Sequence, residues 1–273
     1  MKRPGIFFGA GRIFELSLGQ MLWSRRTLFM ALVVGVPVVL ALVIRLLIEM
    51  GVPITRIGRN ELSGATLFGL MFWAVFIRLA VPVLAVFYGT GLIADEVEDK
   101  TITYLFTRPI RREAVFLGKY LAYLVCTVAV VLPALVLVWV AISGIGGRFG
   151  EGVDDLARDL GILVLGLASY GALFGWVGAR LRRPLVVGLV FVFGWEVFAL
   201  ALPGYLKVLT VAYHLQALVP HAMPADSPMA IMQTFFRESP GLVQSLGGLA
   251  LITLVSLAAG ARAAARREYI LGQ

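Results

Sequence analysis

Cysteine is almost missing. The 273 residues hold one, Cys126, so no intrachain disulfide is possible and cysteine usage gives no clue to compartment. Histidine is nearly as scarce. His214 and His221 are the only two; their spacing fits no strong metal motif, and both read as surface or interfacial polar side chains. Charge is thin, at 15% of residues against ~25% in a typical soluble domain. A phosphate-binding loop is also lacking. Gly118-Lys119 is followed by Tyr120, and Glu113 stands where the loop's first glycine is needed. The chain is therefore not expected to hydrolyse ATP itself. No histidine falls in any of the candidate spans to serve as base for Ser143, which argues against an intramembrane serine hydrolase. Internal repeats and low-complexity tracts are absent.

What fills the chain instead is apolar sequence, 60% of residues. This composition predicts an all-α, polytopic membrane protein. Six runs approach the ~20 residues that a spanning helix needs: Leu28–Ile48, Leu67–Ala94, Ala114–Ile142, Leu160–Ala179, Leu185–Leu202 and Leu242–Ala261. The fifth is near the lower limit. The second and third exceed the requirement, so they must tilt or project beyond the bilayer. The spans divide the chain into residues 1–27, a cytoplasmic or interfacial segment, and 28–273, a six-span domain. Within 1–27, Arg12 to Trp23 reads as an amphipathic helix suited to the headgroup plane, with Ile13, Phe14, Leu18, Met21 and Leu22 on its apolar half.

Net charge is +8. The basic residues flank apolar runs, so they point to membrane orientation rather than to nucleic acid. With the N-terminus inside, 16 of the 24 lysines and arginines fall on the cytoplasmic side and seven outside. Both termini are then cytoplasmic. No cleavable signal is convincing, because Arg12 and Glu15 interrupt any apolar run behind Met1-Lys2-Arg3. Arg25-Arg26 reads as the basic flank of the first span. Outside, residues 203–241 form the longest loop. Its first part, Tyr205–Val219, is apolar enough for a helix at the outer surface, and Pro220, Pro224, Pro228 and Pro240 keep the rest irregular.

The polar interruption between the second and third runs, residues 95–113, carries the strongest internal order. Four acids open it (Asp95, Glu96, Glu98, Asp99) and Arg108, Arg111 and Arg112 follow. Asp99 or Thr101 suits a helix N-cap and Pro109 a stop. Between them Ile102, Leu105 and Phe106 stand at i, i+3, i+4, a small apolar face. So short a helix is unstable alone and needs a surface to pack on, either headgroups or a groove on another protein.

Three stretches here resemble the signature of ABC-2-type transporter permeases: Gly91-Leu-Ile-Ala-Asp-Glu-Val-Glu-Asp-Lys-Thr101, Tyr104-Leu-Phe-Thr-Arg-Pro-Ile-Arg-Arg112 and Leu117-Gly-Lys-Tyr120. Lys100 stands where the family often has glycine, and Phe106 replaces a common leucine. The resemblance implies a multi-pass subunit of the bacterial inner membrane, and the chain is read as the permease of an exporter. It implies pairing with a second copy or a paralogue, and docking of cytosolic ATPase subunits that bind ATP and magnesium. No cofactor or metal is expected in this chain. The docking residues so implied are Asp95, Glu96, Glu98, Asp99, Thr101, Ile102, Leu105, Phe106, Arg108, Pro109 and Arg111, forming a coupling helix in the ATPase groove. Tyr205–Val219 becomes, by the same resemblance, a re-entrant helix closing the exit.

Two ionisable residues lie deep in spans, Arg78 and Glu196. A charge there costs several kcal/mol unless paired or wet, so the two are expected to pair within the chain or to line a pathway. Gly171, Gly175 and Ala179 recur every four residues, a small-residue stripe for close helix packing or for a dimer face. Two rival functions remain at this level: a secondary transporter or channel, for which coupling-ion ligands and inverted repeats are lacking, and a membrane anchor or assembly subunit using the same loop as a dock.

Overall fold

The computed structural model describes residues 6–22, 25–52, 56–57, 60–61, 63–98, 111–143, 145, 152–201, 205–219 and 240–266. Almost all of them are helical. The exception is a short antiparallel hairpin with two residues in each strand, β1 (Arg56–Ile57) and β2 (Asn60–Glu61), between the first two apolar runs. Hydropathy gave no hint of it, since so short a pairing buries nothing apolar.

Helix α1 (Ile6–Leu22) starts ahead of the expected Arg12. It buries Ala10, Ile13 and Ser17, spaced i, i+3, i+7, while Gly11, Arg12, Glu15 and Leu16 face outward. Helix α2 (Arg25–Glu49) buries a narrow stripe of Met30, Val34, Pro37 and Ala41 and leaves its other faces bare. Leu28, Leu32, Val36 and Leu46 are each more than half exposed, which only a bilayer or another apolar partner tolerates at this density. Arg45, near its C-terminal end, is held by Glu49 at 2.9 Å and donates to the Ala141 carbonyl at 3.1 Å.

Helix α3 spans residues 64–98 and opens on Ser63, whose hydroxyl accepts from the Thr66 amide. It is not uniformly α. Phe72–Ala80 and Ala85–Gly89 are π-helical, with an α-turn, Val81–Leu84, between them. Helices α4 (Arg112–Ser143) and α5 (Val153–Arg180) follow. Helix α6, residues 184–201, carries a third π segment at Phe191–Glu196. A 3-10 turn (Tyr205–Leu209) leads to the short α7 (Val211–Leu218), and α8 (Leu242–Arg266) ends the described chain.

Five helices are long and apolar enough to cross a membrane: α2, α3, α4, α5 and α8. Helix α6 is apolar but shorter. Of the apolar stretch of α3, 61% is buried, against 22% in α2 and 17% in α8, so α3 is an inner helix and the other two are outer ones. The core lies where α3, α4 and α5 meet, around Phe72, Phe76, Tyr88, Tyr123, Leu163, Tyr170 and Phe174. α1 lies along α4, α2 covers another side of α4, and α8 packs against α5.

Two sequence limits need correction. The fourth apolar run was expected to open at Leu160, but α5 already begins at Val153, with Asp154 and Asp155 in its first turn. Carboxylates there meet the unpaired amides and the positive end of the helix dipole. Asp159, two turns in, is fully buried. Tyr205–Val219, expected as one helix, is instead a 3-10 turn and an α-helix, with Val211 to Leu215 all buried. α7 packs against α5, α8 and the first π segment of α3.

Candidate functional site

The base of the bundle, where α3 arrives and α4 departs, is built from adjacent residues with separate duties. Asp95 and Glu96 are half-buried, and Glu98 is the last residue of α3. Glu96 Oε1 accepts from Lys119 Nζ at 2.5 Å, with the two side chains only 18% and 8% exposed. This bond joins the last turns of α3 to the second turn of α4. One residue earlier, Gly118 gives α4 a flat spot. A Cβ there would sit 2.6 Å from the Ala10 carbonyl and 2.9 Å from Ile13 Cβ, so only glycine lets α1 lie this close. Arg111 is exposed, and its carbonyl accepts from the Ala114 and Val115 amides at 2.9 and 3.3 Å, which starts α4. Ile93, Phe116, Ala179 and Ala264 form a small separate core above, joining α3, α4, α5 and α8. Asp99, Thr101, Ile102, Leu105, Phe106, Arg108 and Pro109 lie outside the described residues.

The small-residue stripe of α5 meets this chain's own side chains. A Cβ on Gly171 would fall within 2.1 Å of the Tyr123 ring, and one on Gly175 within 3.2 Å of Leu92 and 3.3 Å of Phe116. Ala179 is fully buried. Tyr123 and Tyr120 then donate to the Leu167 and Ala168 carbonyls, both at 3.0 Å. The face is thus occupied by α3 and α4.

Arg78 and Glu196 both lie on π-helical segments, where the helix has one extra residue per turn. Glu196 is 2% exposed, and Tyr170 Oη donates to its Oε2 at 2.6 Å. The first amides of α7, at Val211 and Ala212, lie near the carboxyl group, although Oε1 makes no hydrogen bond. Arg78 is half-buried, 6.0 Å over the Trp73 ring, and near enough for its charge to act on both Glu196 and Tyr170. No ion pair within 4.0 Å joins Arg78 to Glu196. The nearer partner of Glu196 is Tyr170, which sequence reasoning did not single out.

His214 is the larger miss. It was expected at the surface and is 1% exposed. Its Nε2 is 2.9 Å from the Val208 carbonyl, and its ring fills a notch at Gly248 of α8, where a Cβ would come within 2.4 Å of the imidazole. The pair Gly247-Gly248 inside an otherwise apolar run was the available signal. Thr210 caps α7 by accepting from the Tyr213 amide at 3.3 Å while donating to the Lys207 carbonyl at 2.7 Å. Among the described residues no group of three or more His, Cys, Asp or Glu converges as a metal site.

A family model described as ABC-2 family transporter protein matches residues 13–267. No curated relative matches the chain.

Proposed function

The chain belongs to the ABC-2 transporter family, and from that premise we propose that it is the permease half of an ATP-driven exporter. It crosses the plasma membrane of a bacterium six times, with α6 as the short fifth span, and both termini are cytoplasmic. It pairs with a second copy or a paralogue. Separate cytosolic subunits bind ATP and magnesium and dock on the elbow between α3 and α4.

The family match over nearly the whole chain carries this reading. The base geometry supports the elbow as the docking point. Both arms of the elbow belong to inner helices, and Glu96–Lys119 ties them together close to the end of α3 and the start of α4. A force applied at residues 99–110 is then delivered to α3 and α4 jointly instead of being absorbed as fraying of either end. Rigid motion of the two arms rocks the permease between inward and outward openings. The buried α7, wedged among α3, α5 and α8, closes the outer exit in the resting state.

The test is retention of the ATPase. Leu105→Asp puts a charge on the apolar face of the elbow. It abolishes copurification of the ATPase subunit while membrane insertion and the folding of the permease stay intact. Copurification at the wild-type level would overturn the docking assignment.

A further inference from the structure

A cleft of about 760 Å³ opens between the last turns of α5 and α8. Arg180 and Arg182 line it from one side, Arg262 and Arg266 from the other, with Trp176 on the wall. The volume falls within the ~300–1,000 Å³ typical of ligand sites. No carboxylate lines it among the described residues. Helix C-termini favour a basic last turn, which accounts for Arg180 and Arg266. It does not account for Arg182, beyond the end of α5, or for Arg262, a turn inside α8.

We propose that this cleft binds the phosphodiester headgroup of an anionic phospholipid from the cytoplasmic leaflet. The leaflet follows from the orientation proposed above; the binding does not depend on the ATPase. Four guanidinium groups offer planar forks matched to phosphate oxygens, and basic clefts between spans at this membrane face suit such headgroups. The apolar half of a lipid has a track as well. On α8, Leu251, Val255, Ala259, Arg262 and Arg266 share one face. Leu251 and Val255 are 65% and 58% exposed, so an apolar strip runs from the arginines toward the middle of the bilayer. Ala259 and Ala263 leave the room that a larger side chain would fill. Trp176, 38% exposed, suits the headgroup level. An acidic patch of a protein would match the arginines but not the strip behind them.

Native mass spectrometry of the full-length permease, titrated with cardiolipin, phosphatidylglycerol and phosphatidylcholine, tests this directly. Wild type binds cardiolipin tightest and phosphatidylcholine weakest. Arg182→Gln with Arg262→Gln lowers the preference about 25-fold, near fivefold for each charge lost at a charged membrane surface. Arg182→Lys with Arg262→Lys loses less, because charge stays and only the forks go. Arg158→Gln, on the outer side, changes nothing. Quenching of tryptophan fluorescence by a brominated-chain anionic lipid weakens in Trp176→Phe, a readout that also serves if the glutamine variant misfolds. An unchanged lipid preference in both double variants overturns the proposal. So does displacement of cardiolipin by millimolar inorganic phosphate, which marks a free-anion site. Loss of ATPase retention with lipid preference intact overturns it too, as the mark of a protein-facing surface.

Discussion

Replacing Lys119 by methionine keeps the length of the side chain and removes its charge. In the native protein Nζ lies 2.5 Å from Glu96 Oε1. At a charge separation of ~4 Å and an effective dielectric near 20, the gross attraction is about 4 kcal/mol, much of it offset by desolvation. Breaking a buried pair by removing one partner costs ~3–5 kcal/mol, because the other charge stays behind. Glu96 keeps 18% side-chain exposure and a further polar interaction, which puts the expected loss near the low end, about 3 kcal/mol. Glu96→Gln with Lys119→Met leaves no stranded charge and recovers most of that loss. The measurement is a double-mutant cycle on unfolding free energy in mixed micelles, with ATPase retention followed in parallel. The expected coupling is about 2 kcal/mol, and retention falls in the single variant. Strict additivity of the two substitutions, or a single variant as stable as wild type, refutes the idea that this bond holds the arms of the elbow together.

Gly118→Val forces a Cβ into the Ala10 carbonyl and is expected to cost ~1–3 kcal/mol as overpacking. Protease cleavage within α1 should rise sharply while α4 stays protected, and unchanged protection of α1 refutes the close fit. Tyr170→Phe removes the donor to Glu196 Oε2, leaving a buried acceptor unmade at a cost of ~1–3 kcal/mol. Because Glu196 lies by the first amides of α7, amide exchange in residues 211–218 then speeds up about tenfold for each 1.4 kcal/mol lost. Exchange confined to α5 and α6 would separate the two.

The positions of the apolar helices were legible because lipid-facing and inner helices share one requirement, a long apolar run. Arg112–Ser143 and residues 184–201 nearly reproduce the sequence limits Ala114–Ile142 and Leu185–Leu202. The error concentrates at polar ends. Hydropathy ignores Asp154 and Asp155, yet a helix N-terminus favours them, so α5 extends seven residues past the expected start. The opposite end of α8 does the same with Arg262 and Arg266. Composition also cannot register a change of helical pitch. Nothing in Phe72–Ala80 distinguishes a π turn from an α turn, yet that turn decides where Arg78 points. At the candidate site the sequence marked Glu96 and Gly118-Lys119 as parts of a motif but not their partners. Lys119 meets an acid 23 residues away, and Gly118 meets α1, more than a hundred positions earlier. Long-range pairings of this kind carry no local periodicity. His214 was misread for a related reason. A histidine in a Pro-rich outer stretch looks solvated until the notch at Gly248 is seen.

The seat of α1 on α4 has a practical consequence. Ala10 and Ile13 rest on the backbone at Gly118, so the amino-terminal helix cannot drift as a separate float. When α4 leans, α1 must swing with it like an outrigger fixed to a hull. A dye placed at an exposed position of α1, such as Glu15, would therefore report any tilt of α4 from outside the bundle, with no probe in the core.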